Sequence, residues 1–253
     1  MIVHRRSLLV LAALAAAQPV LAQRPALAPR ALEVKYVRDA EEYATLTRMV
    51  YRMAGRSVAE QAAKLPRSTV WAVVLDLDET VLDNSPYQLE RAAYGLPFDG
   101  PSWSAWVTRA EAGLVPGVAD FISGVRRLGG RVAWVSDRSA AGRDPTRAVL
   151  IRNGIWRDGD LLCLKDGPAD STKVLRRTEI ATGHGTCAWS AGPARVLAFI
   201  GDQVKDGPGR GDFPGPGEPD SAAGADSAFG TRSFIIPNPT YGSWTDKVTR
   251  LGP

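Results

Sequence analysis

Five continuous apolar runs constrain this chain more than any other feature. They are "TVWAVVLD" (69–76), "RVAWVSD" (131–137), "DLLCLKD" (160–166), "RVLAFIGD" (195–202) and "TRSFIIP" (231–237). None alternates apolar with polar, so each reads as a strand covered on both faces. Helical stretches fall between them at 118–128, 144–153 and 172–182. Strand–helix–strand repetition predicts an α/β fold, a Rossmann-like parallel sheet with helices on both faces. A chain of 253 residues, 45% of them hydrophobic, can fill one such core and a small cap. Residues 39–64 carry helical periodicity with Asp39 as N-cap, residues 23–38 read as a Pro/Ala-rich leader, and residues 206–230 read as a long Gly/Pro loop.

Four of the runs end in charge: Asp76, Ser136-Asp137-Arg138, Lys165-Asp166 and Asp202. In open α/β sheets ligands bind just outside the carboxyl ends of the strands, so these distant residues are expected to converge. The first run continues as "DLDET", which packs Asp76, Asp78 and Glu79 into four positions. Like charges so close repel unless a cation sits among them. Asp202 and Asp206 are candidates to complete that site with Asp76. Oxygen ligands in this number favour Mg²⁺ over softer metals. Zinc is disfavoured, because the chain has two histidines and its two cysteines, Cys163 and Cys187, match no zinc spacing. An aspartate beside Mg²⁺ can attack phosphorus, and a carboxyl two residues on can protonate the leaving oxygen and then activate water.

The ordered set "DLDETVLDN", "SDR", a helical lysine and "GDQVKD" resembles the haloacid dehalogenase (HAD) superfamily of phosphatases. The segments "SWSAWVTRAEAGLVPGVADFI" (102–122) and "FIIPNPTYGSW" (234–244) are similar to the class C, lipoprotein-type acid phosphatase/5′-nucleotidase family. That resemblance implies a HAD fold with a small, mainly helical cap inserted at about 84–115. It implies Asp76 as nucleophile and Asp78 as general acid/base. Mg²⁺ would be held by Asp76, the Asp78 backbone carbonyl, Asp202 and Asp206. Ser136 and Lys173 would bind the phosphoryl group; Lys165 is the competing lysine. Asp137 stands where the family pattern leads one to expect asparagine, and Arg138 either offsets its charge or pairs structurally. Glu79 reads as a loop-structural residue.

The expected substrate is a small phosphomonoester. Tyr87, Trp103 and Tyr241 are candidates to stack on a nucleobase, which would favour nucleoside 5′-monophosphates, although aryl phosphates would also fit. Trp103 and Trp106 lie three apart on a helix and can equally face a core. A binding protein on the same scaffold is the alternative, disfavoured by the complete acid set. A net charge of +4 without a basic stripe argues against polymeric nucleic acid. The N-terminus "MIVHRRSLLVLAALAAAQPVLAQ" has a basic start, an apolar centre and a Val20-Leu21-Ala22 cleavage pattern, so residues 1–22 read as a signal peptide. Periplasmic or secreted localisation follows, by general or twin-arginine export, with no lipid-acceptor cysteine near the cleavage point. In an oxidising compartment Cys163 and Cys187 can pair; the alternative is a buried free thiol at Cys163.

Overall fold

The computed structural model describes residues 29–167, 170, 173–208, 228–242 and 244–245. The expected signal peptide and most of the Gly/Pro loop lie outside these residues. The chain enters through two helices, α1 (Pro29–Asp39) and α2 (Glu41–Ala62). This corrects two expectations. Residues 29–38 form a helix that packs on the helix at Ser85–Ala93, with Val34 and Val37 buried. Asp39 does not cap α2; it closes α1, held by Lys35 one turn back at 2.6 Å, and Ala40 takes the cap position. Glu41 and Glu42 instead supply negative charge to the first turn of α2. The buried residues of α2, Tyr43, Thr47, Tyr51, Ala54 and Val58, recur every three or four positions and form one stripe.

The five apolar runs become β1 (Trp71–Leu75), β4 (Arg131–Ser139), β5 (Leu161–Lys165), β6 (Arg195–Gly201) and β7 (Ser233–Ile235). They form one parallel sheet in the order β5-β4-β1-β6-β7. Between them run α5 (Val118–Arg127), α6 (Arg143–Arg152) and α7 (Val174–Thr182). Both faces are covered, as continuous apolar strands require. Val73 and Leu75 of β1 pack with Tyr51, Val58, Phe121 and Ile122 on one side. Ala72 and Val74 pack with Val135, Ile180 and Phe199 on the other. The close fit leaves no room at Gly130, where a Cβ would lie 2.3 Å from the Trp71 ring.

The segment expected as a cap holds α3 (Ser85–Ala93), α4 (Gly100–Arg109) and β3 (Gly113–Leu114), which pairs antiparallel with β2 (Leu82–Asp83). Helix α4 is started by Asp99, whose carboxylate accepts from Ser102 N–H at 2.9 Å.

Candidate active site

Register decides which polar residues meet. Leu75 pairs with Trp134 on one side and Ile200 on the other. Asp76 follows Leu75 directly, and Ser136 and Asp202 lie two positions beyond Trp134 and Ile200, so the three emerge together at the carboxyl edge. The ladder reaches to Asp76 itself, whose N–H donates to Ile200 O at 2.9 Å. Carboxylate oxygens of Asp76, Asp202 and Asp206 lie within 4.8 Å of one another. Asp206 is carried there by a short turn after β6. Its Oδ2 accepts from Gln203 N–H at 2.9 Å, and Gly201 gives it space: a Cβ on Gly201 would lie 2.2 Å from Asp206 Cβ. A side chain at position 201 would therefore displace Asp206.

Lys173, at the start of α7, reaches into this group. Its buried ammonium donates to Asp76 Oδ1, and to Asp206 Oδ1 at 2.6 Å. Burial opposes the lysine's charge, but the two carboxylates outweigh it and raise its pKa. One cation does not satisfy three carboxylates. Burial pushes Asp76 well above the usual carboxylate range; Lys173 pulls it down, while Asp206 and Asp202 push it up further. Burial, then the Asp206 charge, raises Asp202 to about 7. Asp202 is oriented by Asn238, whose Nδ2 donates to Oδ2 at 2.7 Å. An oxygen-only, under-neutralised set of this kind, with Asp76 and Asp206 buried and Asp202 half-buried, fits a hard divalent cation.

Asp78 is placed differently. The Arg138 guanidinium grips it, with Nη2–Oδ1 at 2.7 Å and Nε–Oδ2 at 3.1 Å. Asn84 Nδ2 adds a bond to Oδ1 at 2.9 Å, and Asn84 Oδ1 accepts from the Trp106 indole at 2.8 Å. Asp78 is thus tied to α4 through Asn84 and Trp106. Ser136 is buried beside it; its hydroxyl lies 3.5 Å from Asp78 Oδ2 and accepts from Arg138 N–H at 3.1 Å.

Several side chains take partners that the sequence did not indicate. Arg138 pairs with Asp78 and not with Asp137. The charge of Asp137 is answered by Arg176, with Nη2–Oδ1 at 2.8 Å, and the same guanidinium donates to Ser136 O at 2.6 Å. Although burial works the other way, the Arg176 bond holds Asp137 below the ordinary carboxylate range. Arg176 lies three positions after Lys173, a helical spacing that could have flagged it. Glu79 adopts φ +55°, is buried, and accepts from the Tyr241 hydroxyl, which fits its reading as a loop-structural residue.

The expected stacking residues separate. Tyr87 is only 5% exposed. Its hydroxyl lies 2.9 Å from Ser102 Oγ, and its ring packs edge-on against Trp103 with centroids 5.2 Å apart. It has no open face for a base and belongs to an aromatic cluster with Phe98, Trp103 and Trp106. Trp103 is partly exposed, with the Arg138 guanidinium 5.6 Å from its ring centroid. Tyr241 is partly open to solvent, anchored through Glu79. Lys165, the competing lysine, ends β5, while Lys173 reaches Asp76. Two surface grooves of about 470 and 510 Å³, lined in part by α5, share no residue with this cluster.

A family model described as HAD superfamily, subfamily IIIB (acid phosphatase), matches residues 15–244. The chain is 26% identical over 204 residues to acid phosphatase 1 of Solanum lycopersicum, covering 76% of this chain and 69% of that protein. It is 25% identical over 205 residues to the stem 28 kDa glycoprotein of Glycine max, with the same coverage of 76% and 69%. The class C acid phosphatase from Bacillus anthracis has a similar structure, with a TM-score of 0.71 at 26% identity over 88% of this chain and 91% of that one. The tungstate-bound structure of that enzyme gives a TM-score of 0.70 at 26% identity, with the same coverage of 88% and 91%. The chain belongs to the HAD-superfamily acid phosphatases of subfamily IIIB, and it is a phosphatase. Phosphatases of this superfamily use a divalent metal, and Asp76, Asp202 and Asp206 are the residues here that fit one.

Proposed function

We propose that the protein is an exported, Mg²⁺-dependent phosphomonoesterase that works through an aspartyl-phosphate on Asp76. The observation that carries this reading is the Asp76–Asp202–Asp206 set, with Asp76 and Asp206 buried and Asp202 half-buried, Lys173 in its midst and Asp78 fixed separately beside it. Asp76 attacks phosphorus, forming its O–P bond as the ester O–P bond breaks. Asp78 gives a proton to the departing alkoxide. Water then attacks the acyl-phosphate, returning a proton to Asp78 and releasing inorganic phosphate. Lys173 and Ser136 neutralise and position the phosphoryl oxygens. Asp76, Asp202, Asp206 and the Asp78 carbonyl would hold Mg²⁺, which would supply charge for the phosphoryl dianion. The tungstate held by the Bacillus anthracis relative is a tetrahedral oxyanion, in keeping with a phosphoryl site.

Trp103 and Tyr241 offer partly exposed aromatic faces to a substrate's leaving group, which favours nucleoside 5′-monophosphates and aryl phosphates over small alkyl ones. Export rests on the N-terminal leader; among the described residues no helix is long and apolar enough to cross a membrane. Phosphate release from p-nitrophenyl phosphate and AMP should stop in EDTA and return with Mg²⁺. Full turnover by exhaustively metal-free protein would overturn the metal assignment. Intact mass of the exported chain should place its first residue at or near Gln23; retention of residues 1–22 would overturn the export reading.

A further inference from the structure

Cys163 and Cys187 are the only cysteines in the chain, and the fold brings them together. Cys163 lies in the middle of β5 and is 1% exposed. Cys187 follows α7 in the connection to β6 and is 6% exposed. Both belong to the apolar cluster with Val135, Ile180 and Trp189. Both are free thiols in this structure, buried in that shared cluster and in electrostatic contact with each other. Apolar packing alone does not require the sole two cysteines of a 253-residue chain to settle in the same small cluster. Cys187 is also held in place locally: its N–H donates to Glu179 Oε2 at 2.8 Å.

We propose that Cys163 and Cys187 form a disulfide that staples the α7–β6 connection to β5. The closed loop, residues 164–186, contains Lys173 and Arg176, so the link restrains the segment that delivers both to the site. The exposed residues His184, Gly185 and Thr186 lead directly to Cys187, which makes it the thiol that reacts first. With a small-molecule disulfide as oxidant, the Cys187 thiolate attacks one sulfur and expels a thiolate. Cys163 then loses its proton, attacks the Cys187 sulfur of the mixed disulfide and expels the second thiolate. Two protein thiols are oxidised by two electrons, and one external disulfide is reduced to two thiols.

The test uses the full chain, reduced and then incubated natively with oxidised glutathione. Intact mass should fall by about 2 Da relative to the reduced chain, maleimide should add nothing until dithiothreitol is supplied, and a peptide map should show Cys163 joined to Cys187. The oxidised form should melt about 5–10 °C above the reduced form. A Cys163→Ala/Cys187→Ala double variant should melt at the same temperature with and without dithiothreitol. Two maleimide adducts after oxidation, stable glutathione adducts without the cross-link, or a link between two chains would each overturn the proposal. An oxidised form that melts no higher than the reduced one would overturn the staple.

Discussion

Asp76 and Asp78 stand two residues apart and live in opposite electrostatic surroundings. Asp76 shares one lysine with Asp206 and faces Asp202, so its group carries more negative charge than its neighbours neutralise. Asp78 is paired with the Arg138 guanidinium, which also donates to Thr146 and Asn84, and has a further amide donor. The first surrounding suits a cation, and with it the phosphoryl chemistry proposed above. The second is built to hold one carboxylate still. Strand alternation would put positions two apart on one face, but β1 ends at Leu75, and the turn that follows it gives the two acids separate environments. One aspartate can then be a nucleophile while the other handles protons.

The comparison yields predictions that break it, beginning with the largest effect. Asp76→Asn should lower turnover by about 10³-fold or more, because an amide cannot form the acyl-phosphate. The far-ultraviolet spectrum should be unchanged, since the substitution removes repulsion and not packing. Near-normal hydrolysis by this variant would show that Asp76 is not the nucleophile.

Arg138→Gln attacks the other half. It leaves Asp78, whose side chain is 17% exposed, without its cation. Breaking a buried pair costs about 3–5 kcal/mol, and the residual solvent access of Asp78 puts the loss at the low end of that range. Urea denaturation should show it, and turnover should fall by about 10²-fold as Asp78 loses its orientation.

Asp202→Asn should act in the opposite direction on the metal-free protein. Asp202 has a folded pKa of about 7, above the ordinary carboxylate value, so the folded state binds more protons than the unfolded one. Its contribution to stability is therefore greatest at low pH and is lost as pH rises from about 4 through 7, on the order of 2–4 kcal/mol. Thermal melts of the metal-free wild type across that window should show a decline that Asp202→Asn removes and added Mg²⁺ offsets. A metal-free variant less stable than wild type at pH 7.5 would contradict the under-neutralised cluster.

The smallest effect is expected from Trp106→Phe, which keeps the ring but deletes the donor to buried Asn84. The cost should be about 1–2 kcal/mol by chemical denaturation. Turnover should fall less than tenfold, because Arg138 still grips Asp78.

The sequence by itself determined the sheet, because an uninterrupted apolar run has one stable use, burial on both faces. It also determined that acids gather at the strands' carboxyl ends, and "DLDET", "SDR" and "GDQVKD" carried the family. Boundaries near the N-terminus were less legible: Asp39 has the chemistry of a cap, yet its pairing with Lys35 one turn earlier draws it into α1. The tertiary structure alone decided who pairs with whom. Arg138 and Arg176 are both plausible partners for Asp137, and only the register of β4 against β1 and the rotation of α7 assign Arg138 to Asp78 and Arg176 to Asp137. The same holds for Tyr87, which is buried by Trp103 and Ser102 from another helix, and for Gly201, whose missing side chain lets Asp206 approach. Periodicity reports whether a side chain is covered, because burial depends on local alternation. It does not report the partner, because partners are set by how separate elements slide and turn against one another, and that information is spread over the whole core.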